Sequence, residues 1–218
     1  MSSRRGEAMT GVRVHPLVVD AASGKLPSWE QASPPRRAHM KRVASLMEGW
    51  ARGLGLPESE VLRWRAAAYL HDVLRDADWD DLRKQAPPAV RDLPGPLLHG
   101  PVASQRLWEE GVEDQEFLTA VAYHTVGYPE LEAMGQALFV ADFVEPGRRE
   151  DREWRRQLRE SMPEEWDRVT RIVTATRIHR ILQREWPLRR ETVGFWNRLV
   201  GQKAPDDQGG DPGPEDGR

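Results

Sequence analysis

Apolar residues along this chain return at the helical period, and no stretch alternates convincingly in the two-residue rhythm of a half-buried strand. Prolines and glycines then cut the helical pattern into pieces. Ser33-Pro34-Pro35 opens the first convincing helix, with Ser33 as its cap and a proline in its first turn, and Gly53 and Gly55 end it. After Pro57, the run ESEVLRWRAAAYLHDVL keeps Val61, Leu62, Ala66, Tyr69, Leu70 and Val73 on one face and carries His71 and Asp72 at its C-terminal end. A short helix follows at 79–84, and then Pro87, Pro88, Pro94 and Pro96 impose a loop. Helices resume at PVASQRLWEEG, opened by His99-Gly100 and stopped by Gly111; at EDQEFLTAVAYHT, with His124 near its end; and at ELEAMGQALFVADFVEPGR, which carries Asp142. The pattern predicts further helices over 149–159, 163–186 and 188–200, the basic residues around His179 facing water.

The expectation is therefore an all-α fold, and 218 residues suit one helical domain with loose ends. Residues 1–33 read as an N-terminal extension whose apolar patch at Val14–Val19 docks as a strand or extended segment, residues 34–200 as the helical domain, and residues 201–218 as a disordered tail. The tail carries the acidic excess. Of 32 basic and 35 acidic residues, Asp206, Asp207, Asp211, Glu215, Asp216 and Arg218 lie in residues 204–218, so the body is close to neutral. A body without a basic stripe argues against general nucleic-acid binding. No window approaches a membrane helix and the N-terminus lacks an apolar signal core, so the chain is expected in the cytoplasm.

With no cysteine, thiolate zinc sites, iron–sulfur clusters and a cysteine nucleophile are excluded, and any metal must be held by nitrogen and oxygen. Four of the six histidines and two aspartates fall at ends or inner faces of apolar helices: His39, His71-Asp72, His99, His124 and Asp142. Singly, each has a bland role available as a cap or satisfied core residue. Together, imidazole and carboxylate suit a hard or borderline divalent metal, and six ligands suffice for two ions if one carboxylate bridges. His15 and His179 stand outside this set, with surface or packing roles. Trp154, Trp166, Trp186 and Trp196 read as core or interface anchors.

The order H…HD…H…H…D, in the segments RRAHMKRVASL, AAYLHDVLRD, LLHGPVAS, VAYHTVG and FVADFVEPGR, resembles the HD-domain metal-dependent phosphohydrolases, and within them the YqeK-like branch, the bacterial symmetrical bis(5'-nucleosyl)-tetraphosphatases. The likeness runs from about residue 36 to residue 148. It implies an HD-domain helical bundle holding two ions, iron first, with manganese or another divalent ion as substitute. It further implies that His39, His71, Asp72 and Asp142 hold one ion and that Asp72 bridges to a second held by His99 and His124. A metal-bound hydroxide would then attack phosphorus and split diadenosine tetraphosphate into two ADP, with Asp72 and Arg75 as catalytic residues.

Arg36, Arg75 and Arg148 lie within a few residues of the proposed ligands and suit a polyphosphate, although each could equally pair with Asp76, Asp78 or Glu145. Thr125 could hydrogen-bond a phosphate oxygen or cap its helix. Two positions depart from the family's pattern: Arg75 stands where lysine is usual, and Val126-Gly127-Tyr128 replaces a Thr-Gly-Arg-like run. Tyr128 could stack on a base or pack on Pro129. A dinucleoside polyphosphate is thus the expected partner and a homodimer is compatible with the sequence. The alternatives are an HD-domain phosphohydrolase of another nucleotide or phosphoester, and a nucleotide-binding regulatory protein with an inactive metal centre.

Overall fold

The computed structural model describes residues 14–201, which form ten α-helices and two short 3-10 turns; no strand occurs among the described residues. The helices are α1 (Pro16–Ala22), α2 (Pro34–Gly53), α3 (Glu58–Leu70), α4 (Trp79–Gln85) and α5 (His99–Glu109). They continue as α6 (Gln115–Tyr123), α7 (Ala133–Val144), α8 (Arg152–Glu160), α9 (Trp166–Gln183) and α10 (Arg190–Gly201). The disorder expected of the tail falls on residues outside those described.

The patch at Val14–Val19 is helical rather than extended. Pro16 sits in the first turn of α1, and His15 caps it by accepting a hydrogen bond from the Leu17 amide through Nδ1 at 3.3 Å. This helix of seven residues buries Val18, Ala21 and Ala22 against the rest of the protein and packs on α3, which supplies the stability so short a helix lacks alone. Ser33 stands at the start of α2 but does not cap it with its side chain: its hydroxyl donates instead to Asp76 Oδ2 at 2.6 Å, tying α2 to the turn after Asp72. The proline-rich loop contains the two 3-10 turns, Pro88–Val90 and Gly95–Leu97.

One continuous apolar core joins these helices, with Val43 and Met47 of α2, Trp64 and Leu70 of α3, Phe117 of α6 and Phe139 of α7 enclosed in it. Helix α2 packs along α3, and α5, α6 and α7 pack in sequence against one another. Helix α10 closes the far side. Its Phe195 is fully buried edge-on to Phe139, ring centroids 5.3 Å apart, and Thr192 donates to the Val126 carbonyl at 2.8 Å. Burial of one such aromatic contributes roughly 3 kcal/mol, enough to hold the loop after His124 against α7. Trp154 and Trp166 pack on the core, whereas Trp186 is 57% exposed, because the turn after α9 carries it outward.

Candidate metal centre

The helix boundaries place the histidines. His39 lies within α2, whose apolar face turns it inward; His71 follows the last residue of α3, with Asp72 next; His99 opens α5; His124 follows the last residue of α6; Asp142 lies in the last turn of α7. Helices α5 and α6 can approach closely because residue 100 is glycine. A Cβ there would stand 2.8 and 2.9 Å from the carbonyl oxygens of Ala122 and Val121 and 3.3 Å from His124 Cε1.

Three imidazoles are oriented by the backbone. Nδ1 of His71, His99 and His124 lies 2.8, 3.0 and 2.9 Å from the carbonyl oxygens of Ala68, Pro96 and Val121, each three residues earlier. A carbonyl only accepts, so each Nδ1 carries a proton and Nε2 is the ring atom turned to the interior. His39 is oriented in the same sense by Glu145, whose Oε1 lies 3.2 Å from its Nδ1. Such an outward Nδ1–H bond is the usual support of a metal-binding histidine.

The Nε2 atoms converge on Asp72. Its Oδ1 is 3.2 Å from His99 Nε2 and 3.5 Å from His124 Nε2, while its Oδ2 is 3.6 Å from Nε2 of both His39 and His71. His99 Nε2 and His124 Nε2 are themselves 3.0 Å apart, and Nε2 of His71 is buried without a hydrogen-bond partner. Ring nitrogens facing one another and a carboxylate form a donor set that fits divalent cations. The donor atoms form two groups, His39–His71–Asp72 and Asp72–His99–His124, each within 4.8 Å, sharing Asp72.

The electrostatics match. Burial pushes His71 down to about 3 and also lowers His99, which keeps both rings neutral. Burial opposes ionisation of Asp72, but the neighbouring His71, His124 and His99 outweigh it and hold the carboxyl well below the usual range. His39 differs: burial works downward but is overcome by hydrogen bonds to Asp142 and Glu145, raising it to about 9, so its ring favours the charged form and a cation bound at Nε2 would displace that proton. Glu145, opposed by burial but bonded to His39, Arg42 and the Gly147 amide, falls to about 2.

Asp142 adjoins the first group, its Oδ1 3.2 Å from His39 Nε2. Arg148 donates to the same oxygen at 2.5 Å, and Arg177 of α9 donates to Oδ2 at 2.9 Å. The Arg177 guanidinium also donates to the carbonyls of Thr125 and Phe139, both at 3.1 Å, and lies over the Phe139 ring. The expectation that the basic residues of this helix face water is therefore corrected for Arg177, to which Asp142, two carbonyls and a ring face offer partners inside. Sequence reasoning missed it, and it treated Glu145 only as a surface partner for arginine.

A cleft of about 1020 Å³ opens over His39, Thr125 and Asp142. Arg36 and Arg42 of α2 line it, with Arg148, Arg149 and Arg155 around the turn into α8. Arg177, Arg180, Arg184 and Arg189 line it from α9 and the segment before α10, against Asp142, Glu145 and Glu150 as its acids. Arg36 donates to Asp72 Oδ2 at 2.6 Å and lies 3.5 Å from Asp76. Thr125 donates to His124 Nε2 at 3.0 Å rather than capping α6. Arg75 is half-buried on the turn after Asp72, outside the cleft wall, and makes no ion pair among the described residues. Tyr128 stacks on Tyr123, centroids 4.2 Å apart, which takes it away from a base-stacking role.

The HD-domain family model matches residues 36–181. The chain belongs to the HD-domain family. Over 88 residues, 38% of this HD protein and 47% of the relative, it is 32% identical to a Halalkalibacterium halodurans protein named "Bis(5'-nucleosyl)-tetraphosphatase, symmetrical". A Staphylococcus aureus protein of the same name is 42% identical over 53 residues, 24% of this chain and 27% of that one. The chain thus spans less than half the length of these curated relatives. A crystal structure of a predicted HD superfamily hydrolase involved in NAD metabolism from Clostridium acetobutylicum superposes with a TM-score of 0.67 at 19% identity, covering 85% of this chain and 96% of that one. That likeness is one of fold.

Proposed function

We propose that this HD protein is a divalent-metal-dependent hydrolase that splits diadenosine tetraphosphate symmetrically into two ADP. The observation that carries the reading is the division of Asp72, one carboxylate oxygen facing His99 and His124 and the other facing His39 and His71. Asp72 so divided would be shared by two ions if both were bound. His39, His71, Asp72 and Asp142 would hold one, and Asp72, His99 and His124 the other; the nitrogen and oxygen set suits iron, with manganese as substitute. Divalent ions bound there supply charge neutralisation and make a water acidic enough to act as nucleophile.

The chain's own residues do the rest. Arg36 and Arg148, each already hydrogen-bonded to a proposed ligand, present guanidinium charge at the cleft floor where phosphate oxygens would lie. Thr125 offers a hydroxyl beside His124, and Glu145 keeps the His39 ring aimed at Asp72 through Nδ1. Arg75, on the turn after Asp72, adds positive charge next to His99. In hydrolysis, the oxygen of water bonds to one inner phosphorus, the central anhydride bond breaks, and the other ADP leaves with the bridging oxygen. The names of the two relatives and the excess of arginine over acid in the cleft support the substrate. The reading carries with it a cytoplasmic enzyme with boundaries at 1–33, 34–200 and 201–218.

The test is a substrate panel under one metal condition, with diadenosine tetraphosphate beside nucleoside mono- and diphosphates and simple phosphoesters, and separation of the products. ADP as sole product from the dinucleotide is expected. AMP plus ATP, or no turnover by the metal-loaded protein, contradicts the proposal.

A further inference from the structure

The cleft continues past the ligand cluster along the end of α9, where its wall is made by Arg180, Arg184, Trp186 and Arg189. These residues lie outside the segments that carry the HD motifs. Helix α9 ends at Gln183, and the chain after it is capped rather than trailing into solvent. Glu185 takes the left-handed conformation, φ 55°, and the amides of Glu185 and Trp186 donate to the carbonyls of Leu182 and Ile181 at 3.0 and 3.1 Å. That conformation normally favours glycine. Holding a glutamate in it turns the backbone sharply and sets Trp186 at the cleft wall.

Trp186 is 57% exposed, and the Arg184 guanidinium lies over its ring, 5.0 Å from the centroid. Trp79 and Trp108 are about as exposed, but neither lines this cleft. Arg180 is engaged by Asp151 at 3.3 Å, whereas Arg184 and Arg189 make no ion pair among the described residues. An accessible indole with Arg184 over one face and with guanidiniums free of carboxylate partners offers what a nucleotide needs: the other π-face for the base and planar donors for the phosphate. The cleft volume of about 1020 Å³ is at the top of the range for sites of drug-sized ligands, roughly 300–1,000 Å³. It leaves room for a nucleoside beyond phosphates held at the ligand cluster.

We propose that Trp186, Arg184 and Arg189 form a nucleoside subsite, the indole stacking on a purine base and the two guanidiniums contacting the phosphates attached to it. The choice of ligand rests on the dinucleotide reading above. The test measures equilibrium binding of a methylene-bridged, non-hydrolysable diadenosine tetraphosphate and of inorganic tripolyphosphate to the metal-loaded full chain. Trp186→Ala is expected to weaken the dinucleotide about tenfold, the scale of a lost base–aromatic stack, and to leave tripolyphosphate unchanged. Trp186→Phe is expected to keep most of the affinity, and the double variant Arg184→Ala, Arg189→Ala to weaken both ligands. Unchanged dinucleotide binding by Trp186→Ala, equal losses for both ligands in that variant, or wild-type protein that binds the dinucleotide no tighter than tripolyphosphate overturns the subsite. Turnover of diadenosine tetraphosphate by wild type is read separately. Its absence, with Trp186-dependent binding intact, sinks the hydrolase reading and leaves the subsite standing.

Discussion

The Nε2 atoms of His99 and His124 lie 3.0 Å apart, and the carbonyls of Pro96 and Val121 keep the ring protons on the opposite nitrogens. Two ring nitrogens facing in this way, with Asp72 Oδ1 3.2 Å from one and 3.5 Å from the other, are the donor set of a divalent cation. His124→Ala is therefore expected to lower the metal content from two ions to one per chain, and Asp72→Ala to lower it below one and abolish turnover. Elemental analysis of anaerobically purified protein checks both. Two ions retained by Asp72→Ala would contradict the shared-carboxylate geometry.

Chelation should destabilise the fold as well as stop catalysis. Each ion at a hundredfold excess over its dissociation constant stabilises by about 2.7 kcal/mol, so two contribute about 5 kcal/mol. At roughly 2–4 °C per kcal/mol for a chain of this size, removal of both is expected to lower the melting temperature by about 10–20 °C. Thermal scans with and without chelator read it, and coincident curves would show that the histidine cluster is self-sufficient.

Gly100→Ala tests the spacing of α5 and α6. The added Cβ would meet the carbonyl oxygens of Ala122 and Val121 at 2.8 and 2.9 Å, which are backbone and cannot rotate away. The helices must separate, and His99 moves off His124. A displacement near 1 Å can cost about 100-fold in rate, so a fall of that order in kcat is expected. Wild-type kcat in this variant would remove the close approach from the account.

Arg177→Ala removes the side chain that ties Asp142 to the carbonyls of Thr125 and Phe139. The expected cost is roughly 2–3 kcal/mol, the scale of hydrogen bonds to a charged group, together with weakened metal binding at the His39 side. Denaturant unfolding and metal titration measure the two effects. Loss of stability with metal affinity unchanged would make Arg177 a packing residue only.

The helix ends were legible in the sequence because their signals are local: Gly53 at the end of α2 and Gly55 after it, Pro57 before α3, Gly111 after α5. Once those ends are placed, His71, His99 and His124 fall at helix termini, and the ordered histidine set follows from a one-dimensional reading. Helix α1 was not legible as a helix, since seven residues give too short a periodic window and its stability comes from packing on α3. Pro16 in its first turn was the available signal. Arg177, Arg180 and Arg184 look like any solvated basic stripe until α9 is laid along the cleft, a placement set by long-range packing and not by local pattern. Glu145 is similar: only the fold shows that it is buried against His39 and Arg42.

The most direct measurement of the central claim is a single-turnover hydrolysis of diadenosine tetraphosphate by the metal-loaded protein in ¹⁸O-water. The account predicts ADP alone, with one labelled molecule for each unlabelled one and the label on the terminal phosphate. ATP with AMP among the products, or no cleavage while both ions are bound, would contradict it.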